Sequence, residues 1–181
     1  MDGESTAGGQ QLASLSLKAQ IESLLFVAGE PVSCSRLAAV LQVDGSRVEE
    51  ALAELEAEYQ GRGFRLQRKG ERAQLVTAPE AAEAVRVLLG LELSSKVSPA
   101  ALETLAIVAY RQPVTRSQIE SVRGVNSDSV LRTLVTRGLV EEQGRLEQAG
   151  RPIIYGTTFE FLQQFGLTRL EQLPPLSPAE A

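Results

Sequence analysis

The amino-acid sequence predicts a mainly α-helical fold with small β-hairpins (α+β), built as two tandem winged-helix domains. Three observations predict it: an internal repeat, the same order of helices and hairpin in each copy, and a globular composition. The chain has 181 residues, enough for one ordinary domain or two small ones. Its 43% hydrophobic and 23% charged residues exclude disordered and fibrous classes.

The repeat emerges when the chain is aligned with itself, without gaps, at an offset of 82 residues. Pro31-Val32-Ser33 then lies over Pro113-Val114-Thr115, and the match continues through the next helices. Upstream, Leu25-Phe26-Val27 lies over Ile107-Val108-Ala109. The alignment preserves capping residues as well as apolar positions, so it indicates two copies of one small domain.

Gly, Pro and helix-capping residues mark the boundaries of the predicted helices and strands in the first copy. Gly29-Glu30-Pro31 stops the first helix, because proline can neither donate a hydrogen bond nor follow a helical residue easily. The predicted order is a helix at 17–28, a short helix capped by Ser33, a longer helix capped by Asp44, strands at 64–67 and 73–76 around Gly70, and a helix at 79–89.

The second copy follows the same plan. Thr115 and Gln118 have the spacing of a capping box. The predicted order is a helix after Ser98-Pro99, a short helix after Thr115, a third helix after Asn126, strands at 139–142 and 152–155 around a wing at 144–150, and a helix at 159–165. Phe159 and Phe161 cannot share one side of that last helix, so we expect one of them to be exposed for a partner.

The pattern divides the chain into four parts. Residues 1–16 form a polar leader, 17–92 the first winged-helix domain, 93–173 the second, and 174–181 a proline-rich tail that no helix could traverse. Nothing in these parts has the length and apolarity of a membrane span, and we expect a cytoplasmic protein.

Composition argues against catalysis. The chain has no His, which excludes Ser-His-Asp and Cys-His centres and His-ligated metals. The single Cys34 cannot form an internal disulfide, and a structural thiol is the favoured interpretation over a thiolate stabilised at a helix cap. We therefore predict no catalytic residues, no metal and no cofactor. A small hydrolase or transferase remains the enzymatic alternative.

Charge bears on nucleic-acid binding, since a winged helix reads DNA with its third helix. The net charge is −5, with 10 basic and 14 acidic residues up to Val97 and 8 and 9 after it. The third helix of the first copy carries six acidic residues, which would repel a DNA duplex. The third helix of the second copy carries Arg132 and Arg137, and its charge permits DNA binding. A basic cluster on the first hairpin could contact phosphate or an acidic partner, or it could form a charged, solvated strand edge: Arg65, Arg68, Lys69 and Arg72.

These residues resemble a known family. The resemblance runs from about residue 17 to 176 and is densest in the second copy, at Leu102–Arg116, Arg123–Asp128, Gly150-Arg151-Pro152, Tyr155–Thr158 and Leu173–Leu176. In these motifs the chain is similar to the bacterial segregation and condensation protein B (ScpB) family.

The resemblance implies a non-catalytic adapter of the condensin-like SMC complex, acting in chromosome condensation and segregation near the nucleoid. It implies a homodimer joined through the first domain, a kleisin partner (segregation and condensation protein A), and contact with the SMC ATPase through that kleisin. DNA would be touched only indirectly or weakly. A winged-helix transcriptional regulator that binds DNA is the alternative.

Partner-binding residues are nominated on the second copy, because polar and aromatic residues of its motifs are hard to explain as core. They are Arg111, Arg132, Tyr155, Gly156, Thr157 and Thr158.

Overall fold

The structure is a computed structural model that describes residues 15–90 and 97–176. Residue contacts divide the chain into two compact units, between Val85 and Arg86. The predicted domain boundary at 92/93, nearly all of the predicted leader, and residues 177–181 of the predicted tail lie outside the described residues. Across the described part of the chain, no helix combines the length and apolarity needed to cross a membrane.

The first unit has the helix and strand order of a winged helix. Its elements are α1 (Leu17–Ala28), β1 (Val32–Ser33), α2 (Cys34–Leu41), α3 (Gly45–Glu58), β2 (Phe64–Lys69), β3 (Arg72–Thr77) and a 3-10 turn (Pro79–Ala81). The next helix, α4 (Ala82–Leu88), crosses the boundary between the two units. The strands form an antiparallel sheet in the order β1-β3-β2. The helices and the sheet enclose one apolar core, with Ile21, Leu37, Leu52, Leu55 and Leu66 fully buried in it.

The second unit repeats this architecture. Its elements are α5 (Pro99–Arg111), β4 (Val114–Thr115), α6 (Arg116–Arg123), α7 (Asp128–Thr136), β5 (Val140–Arg145), β6 (Ile153–Thr157), α8 (Phe159–Gln164) and a 3-10 turn (Leu170–Gln172). The sheet order is β4-β6-β5, again antiparallel. The largest fully buried side chains are Leu105, Ile119, Leu134, Leu139 and Leu162.

Most of the predicted caps are present. Ser33 Oγ accepts a hydrogen bond from the backbone N–H of Arg36 at 3.2 Å. Thr115 and Gln118 form the predicted capping box. Asp44 occupies the N-cap position of α3, but its side chain makes no capping hydrogen bond. Asn126 was predicted to cap α7, but Ser127 occupies that N-cap position without a side-chain capping hydrogen bond, and Asn126 Oδ1 accepts instead from the N–H of Asp128 at 3.1 Å. The local signals therefore place this helix start one residue too early.

Two features of the sheets differ from the sequence prediction. The two-residue strands β1 and β4 were not predicted, and each pairs with the last strand of its own sheet. The wing was predicted at 144–150, but β5 continues to Arg145 across a shift of register between Glu142 and Gly144. The loop is therefore 146–152, because a bulge lets the strand pass through a glycine.

The first helices of the two units do not follow the repeat, because residues that align at the offset of 82 are exposed in one helix and buried in the other. Phe26 and Val27 are 76% and 77% exposed, whereas Val108 and Ala109, aligned with them at the offset of 82, are 0% and 8% exposed. The helix ends explain the difference. Gly29 closes α1 in the left-handed conformation, whereas α5 leaves through an extended Gln112. The two helices therefore bury different faces before reaching equivalent strands.

The expectation that Phe159 or Phe161 is exposed is wrong. Both are buried in the core together with Leu162, whereas Glu160 between them is exposed. The exposed aromatic is Phe165, at 45%, whose ring centroid lies 4.9 Å from that of Phe161.

Candidate partner-binding surfaces

Charged side chains from the starts of α6 and α7 meet on the second unit and form the arginine cluster (Arg116, Glu120, Asp128 and Arg132). Arg116 Nη1 lies 2.7 Å from Asp128 Oδ1, and Arg132 Nη2 lies 2.9 Å from Asp128 Oδ2. Arg116 Nε is also 3.8 Å from Glu120 Oε1. One carboxylate thus holds two guanidinium groups, and the Arg132 side chain remains 79% exposed.

The ion pairs of Asp128 and its neighbours shift the pKa values of the side chains in the cluster. The hydrogen bond from Arg116 holds the pKa of Asp128 below its usual range, and Asp128 in turn raises the pKa of Arg116. Burial raises the pKa of Tyr155, and the charge of Glu142 adds to this, while Arg116 acts against it. At neutral pH the surface therefore offers charged arginines beside a neutral phenol.

Two of the nominated residues meet at this cluster. Tyr155 lies on β6 opposite Val114, which is two residues before Arg116 in the chain, and it interacts electrostatically with Arg116 and Asp128. Arg132 shares Asp128 with Arg116. Arg111 lies on a different element, at the exposed end of α5.

The other nominated residues are buried and have partners inside the unit. Gln112 Oε1 accepts from the backbone N–H of Thr157 at 2.8 Å, and Gln112 Nε2 donates to Thr157 Oγ1 at 3.1 Å. Thr158 Oγ1 donates to the carbonyl of Gly138 at 2.5 Å and accepts from the N–H of Phe161 at 3.0 Å. The polarity of both threonines is thus explained within the fold. Sequence reasoning missed Gln112, whose amide has no pattern that distinguishes it from a surface glutamine.

Gly156 is buried beneath a side chain from the neighbouring strand. A Cβ atom at this position would collide with the amide of Gln143, which lies at the irregular part of β5. Gln143 is exposed and its amide is the end of a flexible side chain. The glycine therefore lets Gln143 cover the backbone next to Tyr155.

The third helices of the two units carry opposite chemistry. A groove along α7 is lined by Ser129, Arg132, Thr133, Thr136 and Arg137, together with Asp128. On α3, Lys18 of α1 bridges Glu54 at 2.9 Å and Glu58 at 2.5 Å. The predicted acidic face of α3 is therefore partly neutralised from within, while α7 presents mostly hydrogen-bond donors.

The first unit has a groove between α1 and α2, called the apolar groove here after its exposed valines. Its lining is mixed: Leu24, Val27 and Val40 are apolar, whereas Glu30, Arg36 and Arg72 are charged. Val27 is 77% and Val40 57% exposed. Sequence reasoning missed this surface, although Val27 lies outside the buried stripe of α1. Exposed apolar patches of this kind mark interaction sites.

The hairpin cations do not form the predicted basic patch. Arg65 is buried, donates to the carbonyls of Tyr59 and Arg62, and pairs with Glu80 at 2.9 Å. Arg68 pairs with Glu49 of α3. The prediction of a solvated or phosphate-binding cluster is wrong for these two residues, because both guanidinium groups join the hairpin to the rest of the unit.

Cys34 is a structural residue, as predicted. It is buried at the start of α2, and burial raises the pKa of its thiol to about 11, with the neighbouring Glu49 adding to the shift. A raised pKa keeps the sulfur protonated, which removes the nucleophile that a reactive cysteine requires.

Comparisons with known proteins agree on one family. The family model "Segregation and condensation complex subunit ScpB" matches residues 19–176. Segregation and condensation protein B of Moorella thermoacetica is 52% identical over 167 residues, covering 91% of this chain and 85% of that protein.

Two solved structures are also similar to the chain. "Crystal Structure of ScpB from Mycobacterium tuberculosis" is 41% identical and covers 84% of this chain and 96% of its own, with a TM-score of 0.41. "Crystal structure of dimer of ScpB N-terminal domain complexed with ScpA peptide" is 35% identical and covers 39% of this chain and 91% of its own, with a TM-score of 0.37. Both TM-scores lie below 0.5, so the assignment rests on the sequence matches.

Proposed function

The chain belongs to the family of segregation and condensation complex subunit ScpB, and we propose that it is a non-catalytic adapter of the condensin-like SMC–kleisin complex. It binds the kleisin, segregation and condensation protein A, and reaches the SMC ATPase through it in the cytoplasm. The match over residues 19–176 supports the family role, and the absence of His from the sequence supports an adapter without catalysis. Its mechanism is geometric: it fixes the arrangement of subunits that condense and segregate the chromosome.

The arginine cluster with Tyr155 is the proposed kleisin-binding surface. The observation that carries this proposal is Arg132, which is 79% exposed although it shares the Asp128 carboxylate with Arg116. An acidic segment of the partner can bind this guanidinium without unpairing Arg116. Arg111 extends the surface with a further exposed cation. Gly156, Thr157 and Thr158 contribute by holding the strand that carries Tyr155.

Capture of purified kleisin by the variants Arg132→Ala and Tyr155→Ala tests this surface. We expect each to weaken binding by about tenfold, the effect of one charge-assisted hydrogen bond or one aromatic contact. Arg47→Ala, which removes an exposed arginine from α3 of the first unit, is the matched control. Circular dichroism verifies the fold, and undiminished capture by both variants would place the kleisin elsewhere.

The apolar groove of the first unit is the proposed homodimer surface. Val27 and Val40 leave more than half of their side-chain area in water, and burying them against a second copy removes that cost. Val27→Asp should convert dimer to monomer in light scattering coupled to size exclusion. Val87→Asp, which places the same charge at an exposed valine of α4, should remain dimeric. A dimer that survives Val27→Asp contradicts the assignment.

DNA binding by the second unit is the second candidate function. The donor-rich face of α7 favours it, whereas the net charge of −5 opposes it. Fluorescence anisotropy with a labelled duplex over a range of salt concentrations distinguishes an adapter from a DNA-binding regulator. The adapter predicts weak or absent binding by the isolated chain. A regulator predicts tight binding that falls steeply as salt rises.

A further inference from the structure

Residues 167–176, the strap, follow α8 and fold back over the second unit. Leu167, Leu170 and Leu173 are partly buried and pack against the core of this unit. The hydroxyl of Tyr110 on α5 donates to the carbonyl of Pro174 at 2.6 Å. The contacts that hold the strap therefore include three leucines, a backbone hydrogen bond from Leu167 to Leu162 of α8, and the hydrogen bond from Tyr110 near its end.

One buried group opposes the closed position of the strap. Thr168 is buried, and its backbone N–H donates to Gln172 Oε1 at 2.8 Å. Its hydroxyl oxygen is the one buried side-chain polar atom without a hydrogen-bond partner among residues 15–90 and 97–176. Leaving such a group unpaired disfavours the closed strap, because water would satisfy the hydroxyl once the strap opened.

The apolar contacts that close the strap are weak. Its leucines are only partly buried, so each removes less apolar surface from water than a core leucine does, while closing the strap also restricts its backbone. The strap is thus the kind of segment that opens locally while the core stays folded. Tyr110 immediately precedes the exposed Arg111, so the surface under the strap lies beside a nominated partner-binding residue.

We propose that the strap is a detachable cover, and that an apolar segment of the kleisin replaces it on the second unit. Leucine-like side chains of the partner take the places of Leu170 and Leu173, and acidic residues beside them meet Arg111. The identity of this partner rests on the proposed function. The opening of the strap does not, because it follows from contacts within the chain.

Two variants of the full chain shift the opening in opposite directions. Thr168→Val keeps the side-chain shape and removes the unpaired hydroxyl, so exchange of the hydrogen-bonded amides of residues 168, 172 and 173 should slow about five- to thirtyfold. Leu173→Ser weakens the apolar contact and should accelerate exchange of the same amides. Glu171→Gln changes an exposed carboxylate on the strap and should leave the rates unchanged.

Kleisin titration of the same three variants tests replacement of the strap. We expect weaker binding by Thr168→Val and tighter binding by Leu173→Ser, by factors that follow the exchange rates. Exchange that does not slow in Thr168→Val overturns the detachable cover. Shifted exchange with equal kleisin affinity overturns the replacement step. If wild type binds no kleisin, the proposed function fails, and hydrogen exchange still decides whether the strap opens.

Discussion

Thr157→Val separates residues that build the second unit from residues that bind a partner. Thr157 is fully buried, and its hydroxyl lies 3.1 Å from Gln112 Nε2 and 3.2 Å from Gln112 Oε1. Valine keeps the shape, and the backbone hydrogen bond to Gln112 at 2.8 Å remains. The variant loses one to two net hydrogen bonds and leaves part of a buried amide unpaired, which costs about 1–2 kcal/mol.

The assay is thermal unfolding followed by circular dichroism, with kleisin capture measured well below the transition. A loss of this size lowers the Tm of a small domain by about 4–15 °C. Capture should be unchanged, whereas Arg132→Ala should show the reverse: an unchanged Tm and weaker capture. A Thr157→Val protein with wild-type Tm and no capture would show that this hydroxyl contacts the partner, contrary to our interpretation.

Three further predictions follow from the cores and the titrating groups. Phe161→Ala should destabilise the second unit by about 3–5 kcal/mol in urea unfolding, while Phe165→Ala, which removes a half-exposed ring, should cost clearly less. Cys34 should react slowly with iodoacetamide at pH 8 until the protein is unfolded. Because folding raises the pKa of this thiol, the free energy of unfolding should fall as the pH rises toward about 11. Asp128 has a lowered pKa, so its ion pairs persist above its ordinary pKa near 4 and are lost as the pH falls through the lowered value; kleisin capture followed from pH 7 to pH 3 checks this.

The elements were predictable because their signals are local. A proline or glycine stops a helix, and a threonine with a glutamine three residues later starts one, whatever surrounds them. Thr115 and Gln118 form the capping box that their spacing predicts. The fold class followed from the order of these elements repeated twice along the chain.

The surfaces were less predictable, because they depend on contacts between elements distant in sequence. Arg65 looks like a surface cation, but its guanidinium pairs with Glu80, fifteen residues further along the chain. The exposure of Val27 depends on which face α1 turns toward the core. The spacing of Asp128 and Arg132 is that of neighbours on one helix, but the pairing of Asp128 with Arg116 joins two helices, and the approach of Tyr155 to both adds a strand. The contacts between different elements are therefore the ones that the sequence pattern does not predict.

The repeat keeps the core and changes the surface, which lets one fold carry the two different binding surfaces proposed above. At the offset of 82, the buried Leu52 and Leu134 coincide, so both units pack the third helix alike. The exposed Arg132 aligns with Glu50, and Thr136 aligns with Glu54. A fold tolerates such exchanges because exposed side chains contribute little to its stability. Charge on the third helix and apolar exposure on the first can therefore diverge freely, giving one unit a groove suited to a second copy and the other a cationic surface suited to an acidic partner.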